Sequence, residues 1–380
     1  MPTMTAKERI CRAARGLEVD RVPSIGGWNN GVRNLAALAG ISVEDYLANP
    51  AAGVVRANKM LGVDGMVTPA VPKTLDEIRT GHLTESAFAG VEPEAVLDFA
   101  NSLPDSESAV LQQANFDAAA EEHKLLAAFL DARRDWEGIE RIPNFWDIGG
   151  PFPLYHQFGY TAFFEACVLY PQAVAKIWWA KSLPARKRAL ILRDLYTQLD
   201  LPPLMFCGED LANNQGPMVA PAMLREHYFP VVKAIIDPLV EAGIRLVHHC
   251  DGDVRPLVHD FLAMGFSGFQ GFQYEVGMDP AALRQLRSTR GETPIFFMGL
   301  SVSRTLPFGT PQDARDEVDY FLDVTDGGRG MFLFTTNVTG VEVPVDNIRA
   351  AYAHVKEFDP AHPRKPRFTT WPWQLQHPQG

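Results

Sequence analysis

The sequence predicts a single α/β domain folded as a closed (β/α)₈ barrel. Eight short apolar runs bounded by Gly, Pro or polar residues are typical of strands, and helix-like segments alternate with them. Alternation of strand and helix indicates a parallel sheet, and eight such units favour a closed barrel over an open doubly wound sheet. The open sheet remains the main alternative, because no Gly-rich phosphate-binding fingerprint decides between the two.

The predicted strands are mostly apolar through their length, as expected of parallel strands buried on both faces. They span residues 22–28, 63–69, 141–146, 203–208, 244–250, 266–272, 294–299 and 330–336. The predicted helices span residues 51–61, 162–199, 221–242, 253–264, 279–290, 311–324 and 344–357. Pro221, Pro280 and Pro311 stand near the start of three of these helices, where the missing N–H of proline is harmless.

Two segments fall outside the alternation. Residues 70–140 carry few strand signals, and this insertion is predicted to be a loop or small hairpin leading into a polar helix around 104–135. The Pro-rich tail, residues 359–380, contains two tryptophans and is expected to dock on a surface or on a second subunit, as in a homodimer. The barrel is therefore predicted to span residues 1–358 without an internal linker.

Composition favours a small-molecule substrate. The chain has 380 residues, and 35 basic against 46 acidic side chains give a net charge of −11, which attracts neither nucleic acid nor an anionic membrane. The first residues lack the apolar core of a signal peptide, and no run approaches the about 18 apolar residues of a membrane span, so a cytoplasmic protein is expected. Four scattered cysteines predict free thiols and no disulfide framework.

Polar residues follow most of the predicted strands, at the ends where the functional groups of a barrel lie. They are Trp28, Asn29 and Asn30; Trp146 and Asp147; Glu209 and Asp210; His248, His249, Cys250, Asp251 and Asp253; Gln270, Gln273 and Glu275; and Thr335, Thr336 and Asn337. Among them, we predict that the substrate contacts Trp28, Asn29, Trp146, Gln270 and Gln273.

The segment HHCDGD, residues 248–253, holds the richest chemistry. Imidazole, thiol and carboxylate groups are typical of a metal site or an acid/base site. Because side chains alternate along a strand, His249 and Asp251 share one face, whereas His248 and Cys250 share the other. Either pair supplies two ligands, and Glu209 is the nearest candidate for a third. Spacing alone also allows an ordinary structural role, with one imidazole hydrogen-bonded inside the barrel and the thiol packed in the core.

Several motifs resemble the uroporphyrinogen decarboxylase superfamily over residues 6–358. They are DRVP at Asp20–Pro23 and, further on, GPMVAPAMLREHYFPVVKAIID, HHCDGDVRPLVHDFLAMGFSGFQ, LPFGTPQDARDEVDYFLD and VPVDNIRAAYAHVKEF. True uroporphyrinogen decarboxylases open with Met-Arg-Gln-Ala-Gly-Arg and carry an acidic residue after the second strand. This chain has GGWNNG and Thr68-Pro69 at those places. The resemblance is therefore nearer to the corrinoid-linked methyltransferase branch.

The resemblance to that branch implies demethylation of a small methylated substrate, with the methyl group passed to a thiol or to a corrinoid on a partner protein. Its thiol-directed members hold zinc by His-x-Cys and a later Cys. Aligned on Gly252, these positions correspond to His249, Asp251 and a residue near Asn337, so the thiol-rich triad is absent.

We therefore predict His249, Asp251 and Asn337 as catalytic residues and Glu209, His249 and Asp251 as zinc ligands, with His248 and Cys250 as the alternative pair. A carboxy-lyase acting on a porphyrinogen or another carboxylate, and a non-catalytic ligand-binding barrel, remain the alternative functions.

Overall fold

Short parallel strands form the centre of the molecule, and helices pack against them. The computed structural model describes residues 3–77, 85–150, 154–271, 273–362 and 365–376. The strands are β1 (Ile25–Gly26), β2 (Gly65–Met66), β3 (Glu140–Arg141), β4 (Leu204–Gly208), β5 (Ala212–Asn213), β6 (Gly216–Pro217), β7 (Arg245–His249), β8 (Gly268–Gln270), β9 (Ile295–Leu300) and β10 (Met331–Thr335). Phe272, the last residue of the sixth predicted strand, lies outside the described residues.

The helices follow the strands in the order that the sequence predicts. They are α1 (Ala6–Ala14), α2 (Val32–Ala39), α3 (Val43–Ala48), α4 (Pro50–Leu61), α5 (Glu94–Ser102), α6 (Glu107–Gln113), α7 (Ala118–Asp135), α8 (Phe145–Ile148), α9 (Tyr155–Phe158), α10 (Tyr160–Leu169), α11 (Pro171–Gln198), α12 (Pro221–Met223), α13 (Phe229–Glu241), α14 (Val258–Met264), α15 (Pro280–Arg284), α16 (Thr305–Phe308), α17 (Pro311–Val324), α18 (Val345–Glu357) and α19 (Pro372–Gln376). A π-helical turn, Leu224–Tyr228, joins α12 to α13.

The parallel strands form two sheets, ordered β1-β2-β3 and β10-β9-β8-β7-β4, while β5 and β6 form a small antiparallel hairpin. Single parallel bridges connect the sheets at both edges: Ser24 pairs with Leu333, and Asn144 pairs with Phe206. The α/β class with parallel strands is thereby confirmed, and closure into one barrel stays a prediction.

Alternation along the strands separates two apolar cores. Phe206, Val247 and Phe297 belong to an inner cluster that also receives side chains from β1 and β10. Met205 and Leu246, one residue earlier on their strands, belong to the outer cluster, which the helices cover. Because both faces of the sheet are buried, β4, β9 and β10 are apolar through most of their length.

The insertion matches its prediction in part, because the polar helix expected around 104–135 is present as α6 and α7. Within the described residues of 70–140 there is no hairpin, and α5, α6 and α7 form three successive helices. Ser106 and Asp117 cap α6 and α7 by accepting hydrogen bonds from backbone N–H groups, which explains why a polar stretch becomes helical here. The observed hairpin, β5–β6, lies instead after β4.

The C-terminal tail packs on its own chain. Trp371 and Trp373 are buried in the outer core, beside α17 and the loops that follow β8 and β9. None of the helices in the described ranges combines the length and the apolar character needed to cross a membrane.

At the amino ends of the strands, buried charges are paired. Arg9 of α1 binds Asp20 at 2.7 Å and Asp64 at 2.5 Å, and Arg21 binds Asp64 at 2.8 Å. Burial works to raise the pKa of Asp20, but hydrogen bonds from Arg9 and from the Met4 backbone lower it to about 2. These ion pairs connect α1 to the amino ends of the strands. Asp20 and Asp64 each have an arginine partner.

Candidate metal centre

Three potential metal ligands meet at the carboxyl ends of β4 and β7. The ligand atoms of Asp210, His249 and Asp251 all lie within 4.8 Å of one another. His249 Nε2 lies 3.7 Å from Asp210 Oδ1, and the Asp251 backbone N–H donates to the same oxygen at 2.9 Å. The Asp210 side chain is 43% exposed, so the group opens towards solvent on this side.

Asp210, not the predicted Glu209, completes this group. β4 ends at Gly208, whose φ of +154° brings the chain so close to the backbone of His249 that a side chain there would clash. Beyond this glycine the alternation of a regular strand no longer holds, and the second acidic residue turns towards His249. The sequence offers two adjacent acids at this strand end, Glu209 and Asp210, and spacing alone does not show which of them faces His249.

His249 is held in one orientation by Gln270. The Gln270 amide NH₂ donates to the backbone oxygens of Thr335 and Thr336 at 2.6 and 2.9 Å. Its amide oxygen is thereby left facing His249 Nδ1. The network assigns the proton to Nδ1, so the Nε2 lone pair points to the acidic side. Gln270, for which the sequence predicts a substrate contact, therefore positions the imidazole of His249.

Asp251 is the most enclosed acid of the group. Asn337 Nδ2 donates to its Oδ2 at 2.5 Å, whereas its Oδ1 is buried with no hydrogen-bond partner among the described residues. Burial raises the pKa of Asp251 to about 6, the negative charge of Asp210 adds to this, and His249 opposes it. Asn337, a predicted catalytic residue, thus orients the carboxylate, and Oδ1 is left for a cation or a proton.

Glu209 faces Tyr228 instead of the three-residue group. Its Oε2 is buried, and none of the described residues forms a hydrogen bond of standard geometry with it. Its polar neighbour is the Tyr228 hydroxyl. Burial raises the pKa of Glu209 to about 8, so the side chain is a neutral acid at pH 7. The Tyr155 hydroxyl donates to the backbone oxygen of Asp210 at 3.1 Å and closes this side.

His248 and Cys250 lie on the opposite face of β7, in the outer core. The His248 ring stacks on Phe261 at 4.0 Å and meets the edge of Phe266 at 4.8 Å. Burial lowers the pKa of His248 to about 3 and raises that of the Cys250 thiol. The Cys250 sulfur accepts a hydrogen bond from the Leu211 backbone. Within the described chain, the alternative pair gains no third ligand.

An aromatic wall lies beneath His249. The Trp28 ring contacts His249 at 5.5 Å and Phe206 at 5.3 Å, both edge to face. Trp146 stacks on Phe206 at 6.2 Å and is 46% exposed, at the rim. Trp28 Nε1 and Asn29 Oδ1 are buried, and neither has a hydrogen-bond partner within the described ranges.

Gln273 contributes to the turn after Asp251 and not to this wall. Its Oε1 accepts a hydrogen bond from the Gly252 backbone at 2.8 Å. Gly252 has φ +81°, and a side chain there would come within 2.5 Å of the Asn213 backbone oxygen. The turn is therefore tight, and Gln273 has a supporting role.

The completed arrangement offers one imidazole nitrogen and two carboxylates around an accessible point. Nitrogen and oxygen ligands of this kind suit zinc and other divalent transition metals, and three protein ligands with an open position are typical of catalytic sites. Without a metal, the same groups can exchange protons between a carboxyl and an imidazole.

Comparison with known proteins adds a fold relationship. No family model matches the chain, and no curated protein sequence matches it. Among solved structures, a methyltransferase from Methanosarcina mazei is similar, with a TM-score of 0.60 and 17% sequence identity. The match covers 93% of this chain and 99% of that one. At this identity the likeness extends to the fold, which the two chains share over nearly their whole length.

Proposed function

We propose that this protein is a metal-dependent methyltransferase that demethylates a small methylated substrate. The observation that carries the proposal is the Asp210–His249–Asp251 group, in which His249 Nε2 faces two acids and Asp251 Oδ1 is buried without a partner. The fold shared with the Methanosarcina mazei methyltransferase supports it, as does the resemblance of the HHCDGD segment to the corrinoid-linked branch of the uroporphyrinogen decarboxylase superfamily.

We also propose that the eight parallel strands close into one (β/α)₈ barrel. Two features support closure: the bridges Ser24–Leu333 and Asn144–Phe206 link both edges of the two sheets, and the inner core receives side chains from strands of both. In such a barrel the carboxyl ends of the strands form a single mouth, which is where Asp210, His249 and Asn337 lie.

The residues present fit a divalent metal, for which zinc is our candidate. Asp210 and Asp251 would supply oxygen ligands and His249 its Nε2, while Gln270 and Asn337 hold His249 and Asp251 in place by hydrogen bonds. When bound, the metal would act as a Lewis acid on the leaving atom of the methyl donor. A bound metal would also compensate the negative charges of Asp210 and Asp251.

The side chains around the group would prepare the substrate for transfer. Trp28 and Phe206 form an apolar wall that excludes water from one side of His249, and Trp146 extends it to the rim. Methyl transfer breaks the bond from the methyl carbon to the leaving atom, which keeps the electron pair, while the nucleophilic acceptor forms the new bond. We propose a corrinoid on a partner protein as acceptor, with a thiol as the alternative.

A decarboxylase acting on a polycarboxylate is less well supported. The titratable neighbours that most strongly affect the pKa of Asp251 are His249, Asp210 and Glu275. Two of the three are acids, and none is Lys or Arg. An anionic substrate needs cationic partners, which this group does not supply.

Metal analysis of the purified protein tests the proposal. We expect about one zinc per chain, removable by a chelator, and a loss of roughly 10–100-fold in zinc affinity for Asp210→Asn and for His249→Ala. Glu209→Gln is the matched control: it lies beside Asp210 and faces Tyr228, so zinc affinity should not change. Absence of zinc binding at micromolar concentrations, or full retention in Asp210→Asn, would contradict the proposed ligands.

Activity is measured with methyl ethers, methylamines and thioethers in the presence of cob(I)alamin. Formation of methylcobalamin, followed by its absorption spectrum, should occur with wild type and disappear with His249→Ala. Carbon dioxide release from a carboxylate substrate without methylcobalamin would instead favour the lyase.

A further inference from the structure

We infer that the C-terminal strap, residues 365–376, positions the candidate metal centre. This inference rests on the proposed function, because the residues it positions are the proposed ligands and their supports. The strap lies outside the strands, yet Trp371 contacts both Tyr274 in the loop that follows β8 and Glu317 on α17.

Trp371 makes two different contacts at once. Its indole N–H donates to Glu317 Oε1 at 2.8 Å, and its ring lies on Tyr274 with centroids 5.0 Å apart and planes at 32°. The side chain is only 4% exposed, so both contacts are fixed within the outer core. One side chain therefore connects the loop after β8 with Glu317 of α17, and Glu317 in turn accepts hydrogen bonds from the first residue after β9.

The first route leads through Glu317 to His249. Glu317 accepts hydrogen bonds from the backbone N–H of Ser301, the first residue after β9. The next N–H, of Val302, donates to Thr336 Oγ1 at 3.2 Å. The Thr336 backbone oxygen is one of the two acceptors that orient Gln270, and Gln270 in turn orients His249.

The second route leads through Tyr274 to Asp251. The Tyr274 hydroxyl donates to the backbone oxygen of Gly299 at 3.0 Å, which ties the loop after β8 to β9. The preceding residue, Gln273, accepts the hydrogen bond from Gly252, directly after Asp251. A shift of Tyr274 would therefore alter the turn that sets the Asp251 backbone.

Earlier residues of the strap bind other acids of α17, the helix that also carries Glu317. Arg367 pairs with Asp319 and, at 3.4 Å, with Asp316, both on α17. The backbone N–H groups of Arg367 and Phe368 donate to Asp323 at 2.7 and 2.8 Å. These contacts attach the strap to a helix without reaching Tyr274 or Glu317, so Arg367 offers a control in the same segment.

The test compares Trp371→Ala with Arg367→Ala in the full chain. Zinc affinity is measured by competition with a chromophoric chelator, and hydrogen exchange is followed in peptides covering 250–276. For Trp371→Ala we expect about tenfold weaker zinc binding, with faster exchange in 250–276 and unchanged exchange in α1. Arg367→Ala should leave zinc affinity and exchange in 250–276 as in wild type.

The exchange measurement separates this inference from the proposed function. If the wild-type protein binds no zinc, the metal proposal fails, but faster exchange in 250–276 for Trp371→Ala alone still supports the strap. Equal acceleration in α1 and 250–276, or unchanged exchange in 250–276, would overturn the inference. Should Trp371→Ala not fold, Trp371→Phe, which keeps the ring and removes the N–H, decides by the same readouts.

Discussion

Both ends of the parallel strands bury acids, but Asp64 at the amino end has two arginines beside it, whereas Asp251 at the carboxyl end lies beside His249 and other acids. At the amino end, Arg9 and Arg21 hold Asp64 between them, and the Asp64 side chain is 2% exposed. At the carboxyl end, Asp251 has one amide donor, one orphan oxygen and acidic neighbours. Paired buried charges maintain a fold, whereas uncompensated acids destabilise it unless a ligand binds. We therefore interpret the amino end as structural and propose that the carboxyl end holds the functional site.

The largest expected effect lies at the amino end. Asp64→Ala leaves Arg9 buried with one carboxylate fewer, and we expect the free energy of unfolding to fall by about 3–5 kcal/mol. Urea denaturation measures this. Asp200→Ala, which removes an acid that is 89% exposed from its pair with Lys7, should cost less than about 1 kcal/mol. Equal losses in the two variants would contradict a structural role for the buried cluster.

At the carboxyl end, removal of a buried acid should weaken metal binding without lowering the stability of the metal-free protein. Asp251→Asn is expected to weaken zinc binding by roughly 10–100-fold while the metal-free protein unfolds at the same or a higher urea concentration, because a buried charge near Asp210 is removed. Asp253→Asn is the control, since Asp253 is paired with Arg255 and should leave zinc affinity unchanged. Lower stability with intact zinc binding would reverse our assignment of the two ends.

The two ends should also respond to pH in opposite directions. The pKa of Glu209 in the folded protein, about 8, exceeds its ordinary 4.5. Its contribution to the free energy of unfolding is therefore full below pH 4.5 and declines as pH rises to about 8. The pKa of Asp20 in the folded protein, about 2, lies below its ordinary 3.8. Its contribution to the free energy of unfolding is therefore full above pH 3.8 and is lost as pH falls towards 2.

Urea denaturation of the metal-free protein across this range checks both signs. The stability of Glu209→Gln relative to wild type should rise between about pH 5 and pH 8, by on the order of 1–3 kcal/mol. The stability deficit of Asp20→Asn relative to wild type should shrink as pH falls from about 4 to about 2. A flat difference for Glu209→Gln would mean that this carboxyl is already solvated.

The support of His249 by Gln270 is a smaller test. Gln270→Leu leaves Nδ1 without its acceptor and two backbone oxygens without donors, so we expect about tenfold weaker zinc binding. Nitrogen NMR of His249 should show a mixture of tautomers where wild type has the Nδ1–H form. A single unchanged tautomer in the variant would show that Gln270 does not set it.

The smallest effect is expected at Cys250. Cys250→Ser keeps a group that can accept the Leu211 N–H, so zinc affinity should stay unchanged and stability should fall by less than about 1–2 kcal/mol. If this variant loses zinc while Asp251→Asn keeps it, the alternative pair His248 and Cys250 carries the site.

The strands differ in how well the sequence predicts them. The runs 203–208 and 244–250 correspond closely to β4 and β7, in which every residue is buried. The run 22–28 shrinks to β1, two residues long, since Gly27 at φ +105° leaves the extended conformation. A run of apolar residues indicates burial, and a buried loop at the site can contain such a run just as a strand can.

Alternation along the chain by itself determined which side chains of one strand share a face: it placed His249 with Asp251 and apart from His248 and Cys250. Only the tertiary structure decided what those faces meet. The choice of Asp210 over Glu209 depends on the close approach of Gly208 to His249. The role of Gln270 depends on its contacts with Thr335 and Thr336, 65 and 66 residues away. Such contacts are set by the register between strands and by the packing of loops, and no local pattern in the sequence encodes either.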